Sequence, residues 1–168
     1  NDLVNKSKKI RELSFNSKIR VEQINSKFAR FDGGWVEKKN IKPISTKNKN
    51  YFEKVRIFKN VKYKWGGKSF KGIDCSGLVQ IFLNYNNVNC PRDAKDQVKF
   101  FKKNISFSKI KKNDLIFWKG HVAIVLSKKK LIHAYGPFKK TVIMNNNKII
   151  KRIKKTANLK IIAIKRVR

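Results

Sequence analysis

Gly72-Ile73-Asp74-Cys75-Ser76-Gly77 runs directly into Leu78-Val79-Gln80-Ile81-Phe82-Leu83-Asn84-Tyr85. Apolar residues at 78, 81, 82 and 85 share one helical face, so the stretch reads as a loop entering an amphipathic helix. Cys75 then stands at the helix start, where free N–H groups and the helix dipole favour a thiolate. The chain's two histidines, His121 and His133, lie downstream in strand-like segments. A cysteine at a helix start with histidines on later strands is the arrangement that nucleophilic catalysis by a thiol requires.

Outward from this point the chain divides. Upstream, Lys18–Ile24 alternates polar and apolar residues, and Phe28-Ala29-Arg30-Phe31 is joined to Trp35-Val36-Glu37 by Asp32-Gly33-Gly34, a hairpin signal. This is too little chain for a complete barrel, which suggests further sequence upstream. Pro43 to Asn50 reads as a polar linker, and Tyr51 to Lys59 as a helix with Phe52, Val55 and Phe58 on one side. Downstream, a second helix is expected from about Asp93 to Lys102, with Asp93 as its N-cap. The segments Asp114–Trp118, His121–Leu126, Leu131–Tyr135, Thr141–Met144 and Leu159–Val167 are rich in β-branched and aromatic residues and read as strands. Helices first and an antiparallel meander second give an α+β fold.

The strand reading has a stereochemical consequence. His121 and His133 share a sheet face only if paired residue numbers sum to an even value, as when Ala123 opposes His133. That register leaves a three-residue loop centred on Lys128, between Leu126 and Lys130.

Composition narrows the function classes. The 168 residues can bury one sizeable core, and no apolar run approaches a membrane-spanning length. Two cysteines, Cys75 and Cys90, are too few for a disulfide framework, which suits a reducing, cytoplasmic setting; Cys90 reads as a buried small hydrophobe. No His and Cys cluster has zinc spacing, so no metal or cofactor is expected. The formal charge of +33 invites a nucleic-acid reading, but the lysines run along the whole chain and arginine is scarce. A sequence-specific nucleic-acid partner is therefore not expected, and the chain reads as a monomer.

Taken in order, Tyr63-x-Trp65-Gly66-Gly67, Asp74-Cys75-Ser76-Gly77-Leu78-Val79, Gly120-His121-Val122-Ala123-Ile124 and Leu131-Ile132-His133-Ala134 resemble the NlpC/p60 family of cysteine peptidases, over residues from about 51 to 168. Cys90-Pro91-Arg92-Asp93 and Phe117-Trp118-Lys119-Gly120-His121 are similar to a subgroup that cleaves γ-D-glutamyl bonds to a diamino acid in peptidoglycan stem peptides and carries SH3-like barrels before the peptidase. The resemblance implies a papain-like α+β domain at 46–168 preceded by part of an SH3-like barrel at 1–45. It implies that Cys75 is the nucleophile, His121 the proton carrier and His133 its orienting partner. Tyr63 would support the oxyanion. Asp74 and Ser76, with Arg92, would bind substrate, whose free N-terminal L-alanine amine the subgroup recognises. The sequence departs from the subgroup at Lys62, where proline is common, and at Ala94, where a hydroxyl residue is common. Trp65 and Trp118 read as core or pocket wall. Two other functions compete: an amidase or acyltransferase of the same superfamily, and a non-catalytic basic module for nucleic acid or anionic wall polymers.

Overall fold

The computed structural model describes residues 9–46 and 48–167; the first residues of the 1–45 segment and Lys47 of the linker lie outside them. The chain separates into two compact units, Asn1–Thr46 and Lys47–Arg168.

The first unit is a three-stranded antiparallel sheet of β1 (Val21–Ile24), β2 (Phe28–Phe31) and β3 (Gly34–Glu37). The Asp32-Gly33 signal does close a hairpin: Phe31 opposes Gly34, and Gly33 and Gly34 take φ of +110° and +126°, values open to glycine but not to most residues. Ala29 and Phe31 are its buried side chains.

The second unit begins differently from the sequence expectation. Residues 51–54 form turns and Val55–Phe58 a single 3-10 turn, rather than a helix running to Lys59. Phe52, Val55 and Phe58 are nevertheless all buried. Their spacing marked an inward face correctly, but a segment this short is fixed by packing, not by helix propensity. A small ribbon, β4 (Lys68–Ser69) and β5 (Gly72–Ile73), then leads into α1 (Cys75–Tyr85). The next helix, α2 (Ala94–Phe100), follows Asp93 as its N-cap residue, without a side-chain capping bond.

The main sheet holds β6 (Lys103–Asn104), β7 (Asp114–Trp118), β8 (His121–Val125), β9 (Lys130–Tyr135), β10 (Lys140–Asn145) and β11 (Ile161–Arg166), in the order β10-β9-β8-β7-β11-β6. All its pairings are antiparallel. Alternation sorts the buried strand residues onto two faces. Ile116, Trp118, Ala123, Val125, Leu131, Tyr135 and Ile164 form one cluster with Ile149 and Ile153. Those two isoleucines belong to α3 (Asn146–Ala157), a helix the sequence reading left out. Leu115, Phe117, Val122, Ile124, Ile132 and Ala134 alternate with the first set and are also buried; α1 packs against β8 and β9.

Candidate active site

Two glycines fix where α1 begins. A Cβ on Gly77 would lie 2.5 Å from the Gly67 carbonyl oxygen, and one on Gly67 would lie 2.4 Å from that of Gly72. The first would push the helix start off the loop, and the second would push the loop off β5. Gly67 and Gly77 thus serve two linked close backbone contacts, whereas Gly66 has open space around it and is required instead by its φ of +74°.

Asp74 caps the helix. Its Oδ1 accepts from the Gly77 N–H at 2.7 Å and its Oδ2 from the Gly66 N–H at 2.8 Å. Arg92 grips the same carboxylate with both terminal nitrogens, Nη1 at 2.9 Å from Oδ1 and Nη2 on Oδ2, and Nη1 also donates to Ser76 Oγ at 3.0 Å. The pair raises the Arg92 pKa from its ordinary value, chiefly through the hydrogen bond to Asp74. Asp74, Ser76 and Arg92 are therefore brought together, as one network at the mouth of α1. Gln97 joins it from α2: its Nε2 donates to the carbonyls of Ser76 and Pro91, both at 2.9 Å. Nothing in the sequence reading singled out Gln97, which stands between Asp96 and Val98 in a stretch of mixed polarity.

Cys75 is buried, 8% exposed. Its sulfur sits where the β8–β9 ladder opens. Registered pairs occur at Ile124 with Ile132 and Val125 with Leu131, and the Val122 N–H donates to the thiol instead. The Ser76 and Cys75 N–H groups do the same from the helix start. These donors favour the thiolate, but burial is the larger influence and pushes the thiol above its ordinary value. The expectation of a thiolate from the helix start is corrected accordingly: the resting form is the thiol.

His121 adjoins Val122 at the start of β8. Its Nε2 lies 2.8 Å from Nδ1 of His133, so one of these nitrogens carries the shared proton. The register that places them together sums to an even number, and the Leu126 N–H reaches the Lys130 carbonyl around the three-residue loop centred on Lys128. Burial pulls His121 down to about 4, and burial with the neighbouring His121 holds His133 well below its ordinary value. Both rings are neutral near pH 7. The Tyr135 ring stacks on His133 at 4.8 Å, and Trp118 lies 5.6 Å from His121. Trp118 is core, whereas Trp65 is 83% exposed and is not.

Tyr63 is held by its backbone, its N–H bonded to the Lys139 carbonyl at 2.8 Å. Burial raises its hydroxyl pKa, and the nearby Cys75 and Asp74 raise it further, so the phenol is near both. Cys90 is buried, its thiol pushed up to about 12 by burial. Among the described residues, no group of three His, Cys, Asp or Glu side chains is placed to hold a metal ion.

The residue whose N–H meets the thiol, Val122, directly follows His121, so a thiol and a neutral imidazole with one nitrogen anchored are served by adjoining residues, with amides at the sulfur that can stabilise developing negative charge. Comparison with known proteins bears on that chemistry. The model of the NlpC/P60 family matches residues 60–157. A dipeptidyl-peptidase 6 of Lysinibacillus sphaericus is 44% identical over 72 residues, covering 43% of this chain and 27% of the relative. A gamma-D-glutamyl-L-lysine dipeptidyl-peptidase of Bacillus subtilis is 35% identical over 86 residues, covering 46% and 29%. The aligned stretch thus spans under a third of either curated relative. An NlpC/P60 family protein from Bacillus cereus superposes with a TM-score of 0.75 at 20% identity, covering 96% of this chain and 58% of that one.

Proposed function

Since the chain belongs to the NlpC/P60 family, we propose that it is a cysteine peptidase hydrolysing γ-D-glutamyl bonds to a diamino acid in peptidoglycan stem peptides. The observation that carries this reading is the His121–His133 contact of 2.8 Å, one residue along the chain from Val122, whose N–H joins those of Ser76 and Cys75 on the Cys75 thiol.

The chemistry follows from that geometry. His133 accepts the Nε2 proton of His121, which leaves Nδ1 of His121 bare as the base. The Cys75 thiol passes its proton to Nδ1 as sulfur attacks the γ-carbonyl carbon. The carbonyl oxygen becomes an oxyanion, met by the Cys75 N–H and the Tyr63 hydroxyl. Protonated His121 then gives its proton to the departing amine, the C–N bond breaks and a thioester remains. Water attacks the thioester, its proton passing to His121 and from there to the leaving sulfur. Because thiol and imidazole rest as neutral groups, proton transfer accompanies attack rather than preceding it.

Substrate binding is assigned to Asp74, Ser76 and Arg92. The Asp74 carboxylate already accepts from two amides and both Arg92 nitrogens, close to the capacity of a carboxylate. A free L-alanine ammonium would therefore add to this network or displace Arg92 from part of it. The name of the Bacillus subtilis relative, a gamma-D-glutamyl-L-lysine dipeptidyl-peptidase, supports the bond assigned; the same proposal takes the chain as a cytoplasmic monomer acting on muropeptides, with residues 1–45 as part of an SH3-like barrel. The test is incubation with L-Ala-γ-D-Glu-diamino-acid peptides, with free and blocked amines, and product identification by mass. Release of L-Ala-D-Glu from the free peptide supports the reading; absence of γ-bond cleavage with intact Cys75 removes it.

A further inference from the structure

Tyr135 closes β9 two residues after His133, so side-chain alternation sets both on one face of the strand. The fold turns that neighbourhood into a ring stack. The Tyr135 and His133 rings lie 4.8 Å apart and within 19° of parallel. Tyr135 also reaches His121, at 5.4 Å and 54°. It is buried, 7% exposed, and meets Phe138 edge to face at 5.2 Å, while the Arg152 guanidinium covers the Phe138 ring. The Gly136–Phe138 turn that carries Phe138 is tied down at Lys139, whose carbonyl accepts the Tyr63 N–H. Tyr135 is thus a fixed ring that touches both histidines.

His133 has little else to orient it. Its Nδ1 bonds with Nε2 of His121, while its own Nε2 is buried and meets no hydrogen-bond partner among the described residues. The χ2 torsion of a histidine is broad and roughly two-fold, so one hydrogen bond leaves the ring plane to be set by packing. That plane matters, because a hydrogen bond weakens steeply as its angle falls below about 120°. Once the His133 ring tilts, Nδ1 no longer accepts from His121, and His121 is free to take its other tautomer. The nitrogen needed as the base then carries the proton.

We propose that Tyr135 is a positioning residue: its ring holds His133 in the plane that fixes the tautomer of His121, and through His133 it keeps Nδ1 of His121 bare. The role rests on the hydrolase reading given above. It requires the flat ring and not the phenol hydroxyl. Tyr135→Phe is therefore the conservative exchange, and Tyr135→Leu keeps apolar bulk while removing the plane.

Two measurements on the full chain test this: steady-state hydrolysis of an L-Ala-γ-D-Glu-diamino-acid tripeptide, and ¹⁵N spectra of protein labelled in its imidazoles. Tyr135→Leu should lower kcat by about ten- to a hundredfold, the cost of misplacing a catalytic group. KM should stay within about twofold, since the loss falls on the transition state. Tyr135→Phe should recover most of the rate. In a His133→Ala background, Tyr135→Leu should cost under about twofold, because the residue it acts through is gone. A merely structural role would cost the same factor in both backgrounds. The chain has two histidines, so its ring-nitrogen signals are few, and they need no substrate. The unmodified chain and Tyr135→Phe should show His121 protonated at Nε2 and bare at Nδ1 near pH 7, and Tyr135→Leu should show both tautomers. Tyr135→Met serves in its place should the leucine variant fail to fold. Mixed tautomers in Tyr135→Leu, with no γ-bond cleaved even by the unmodified chain, would remove the hydrolase reading and keep the positioning role. Unchanged signals in Tyr135→Leu, equal losses in the two backgrounds, or a Tyr135→Phe as damaged as Tyr135→Leu would overturn it.

Discussion

At the scale of single residues, the two thiols separate by surroundings. Cys75 is touched by three backbone N–H groups, whereas Cys90 meets the Pro91 carbonyl and a buried amide. Cys75→Ala should abolish γ-glutamyl hydrolysis with the thermal transition preserved, and Cys90→Ala should keep most activity. Steady-state rates with a free-amine tripeptide check both; an active Cys75→Ala ends the assignment. His121→Ala should cost about 10²–10⁴-fold in kcat, the usual worth of general acid–base transfer, with a smaller loss for His133→Ala. The free-enzyme pH profile carries a further expectation. Since burial sets His121 at about 4, kcat/KM should hold down through pH 6 and fall only as pH drops through about 4, where the imidazole gains a proton and ceases to be a base. An acid limb near 6.5 would show that His121 keeps its ordinary basicity in the working site. Cys75, Ser76 and the histidines were legible because their residue types and order carry the chemistry. The resting thiol was not, because it follows from burial, which a linear sequence does not display. The core alternative for Trp65 failed for the same reason: its type suggests burial, and only the chain path exposes it.

At the scale of elements, the strands and α1 could be read because their apolar periods are long or strict. The even pairing of β8 with β9 followed from side-chain alternation once His121 and His133 were required to share a face. α3 escaped because Asn145-Asn146-Asn147 looks like a loop and only Ile149, Ile150 and Ile153 interrupt a run of cations. In the structure Asn145 is a true N-cap, its side chain accepting from the Asn147 and Lys148 N–H groups. The start of α1 offers the sharpest test at this scale. Gly77→Ala places a methyl 2.5 Å from backbone that has little room to move. It should destabilise by about 1–3 kcal/mol in denaturant unfolding and lower kcat by shifting the cysteine. Asp74→Asn leaves Arg92, partly buried, without its bidentate partner. We expect a loss of about 2–4 kcal/mol together with weaker discrimination between free and blocked amines. A variant of full stability that merely loses amine preference would make Asp74 a ligand residue and not a scaffold.

At the scale of the whole molecule, net charge and buried histidines act on stability through different variables. The formal charge of +33 sets up self-repulsion in the compact state, so the melting temperature at pH 7 should rise with added salt as the charges are screened. Acidification adds a second effect that salt does not remove. The folded chain holds His121 at about 4 and His133 well below its ordinary value, while the unfolded chain protonates both near 6.5. Between these values the unfolded state binds more protons. The stability these rings contribute by staying neutral is complete above about 6.5 and is lost as pH falls toward the folded values. Each ring adds a slope of up to about 1.4 kcal/mol per pH unit in that window. Urea unfolding at fixed high salt, from pH 7 down to pH 4.5, should therefore show a steeper decline for the unmodified chain than for His133→Asn. The difference between the two curves should reach at most one proton. Parallel curves would mean that His133 charges in the folded state as readily as outside it, and the neutral, anchored pair assigned to the resting site would have to be given up.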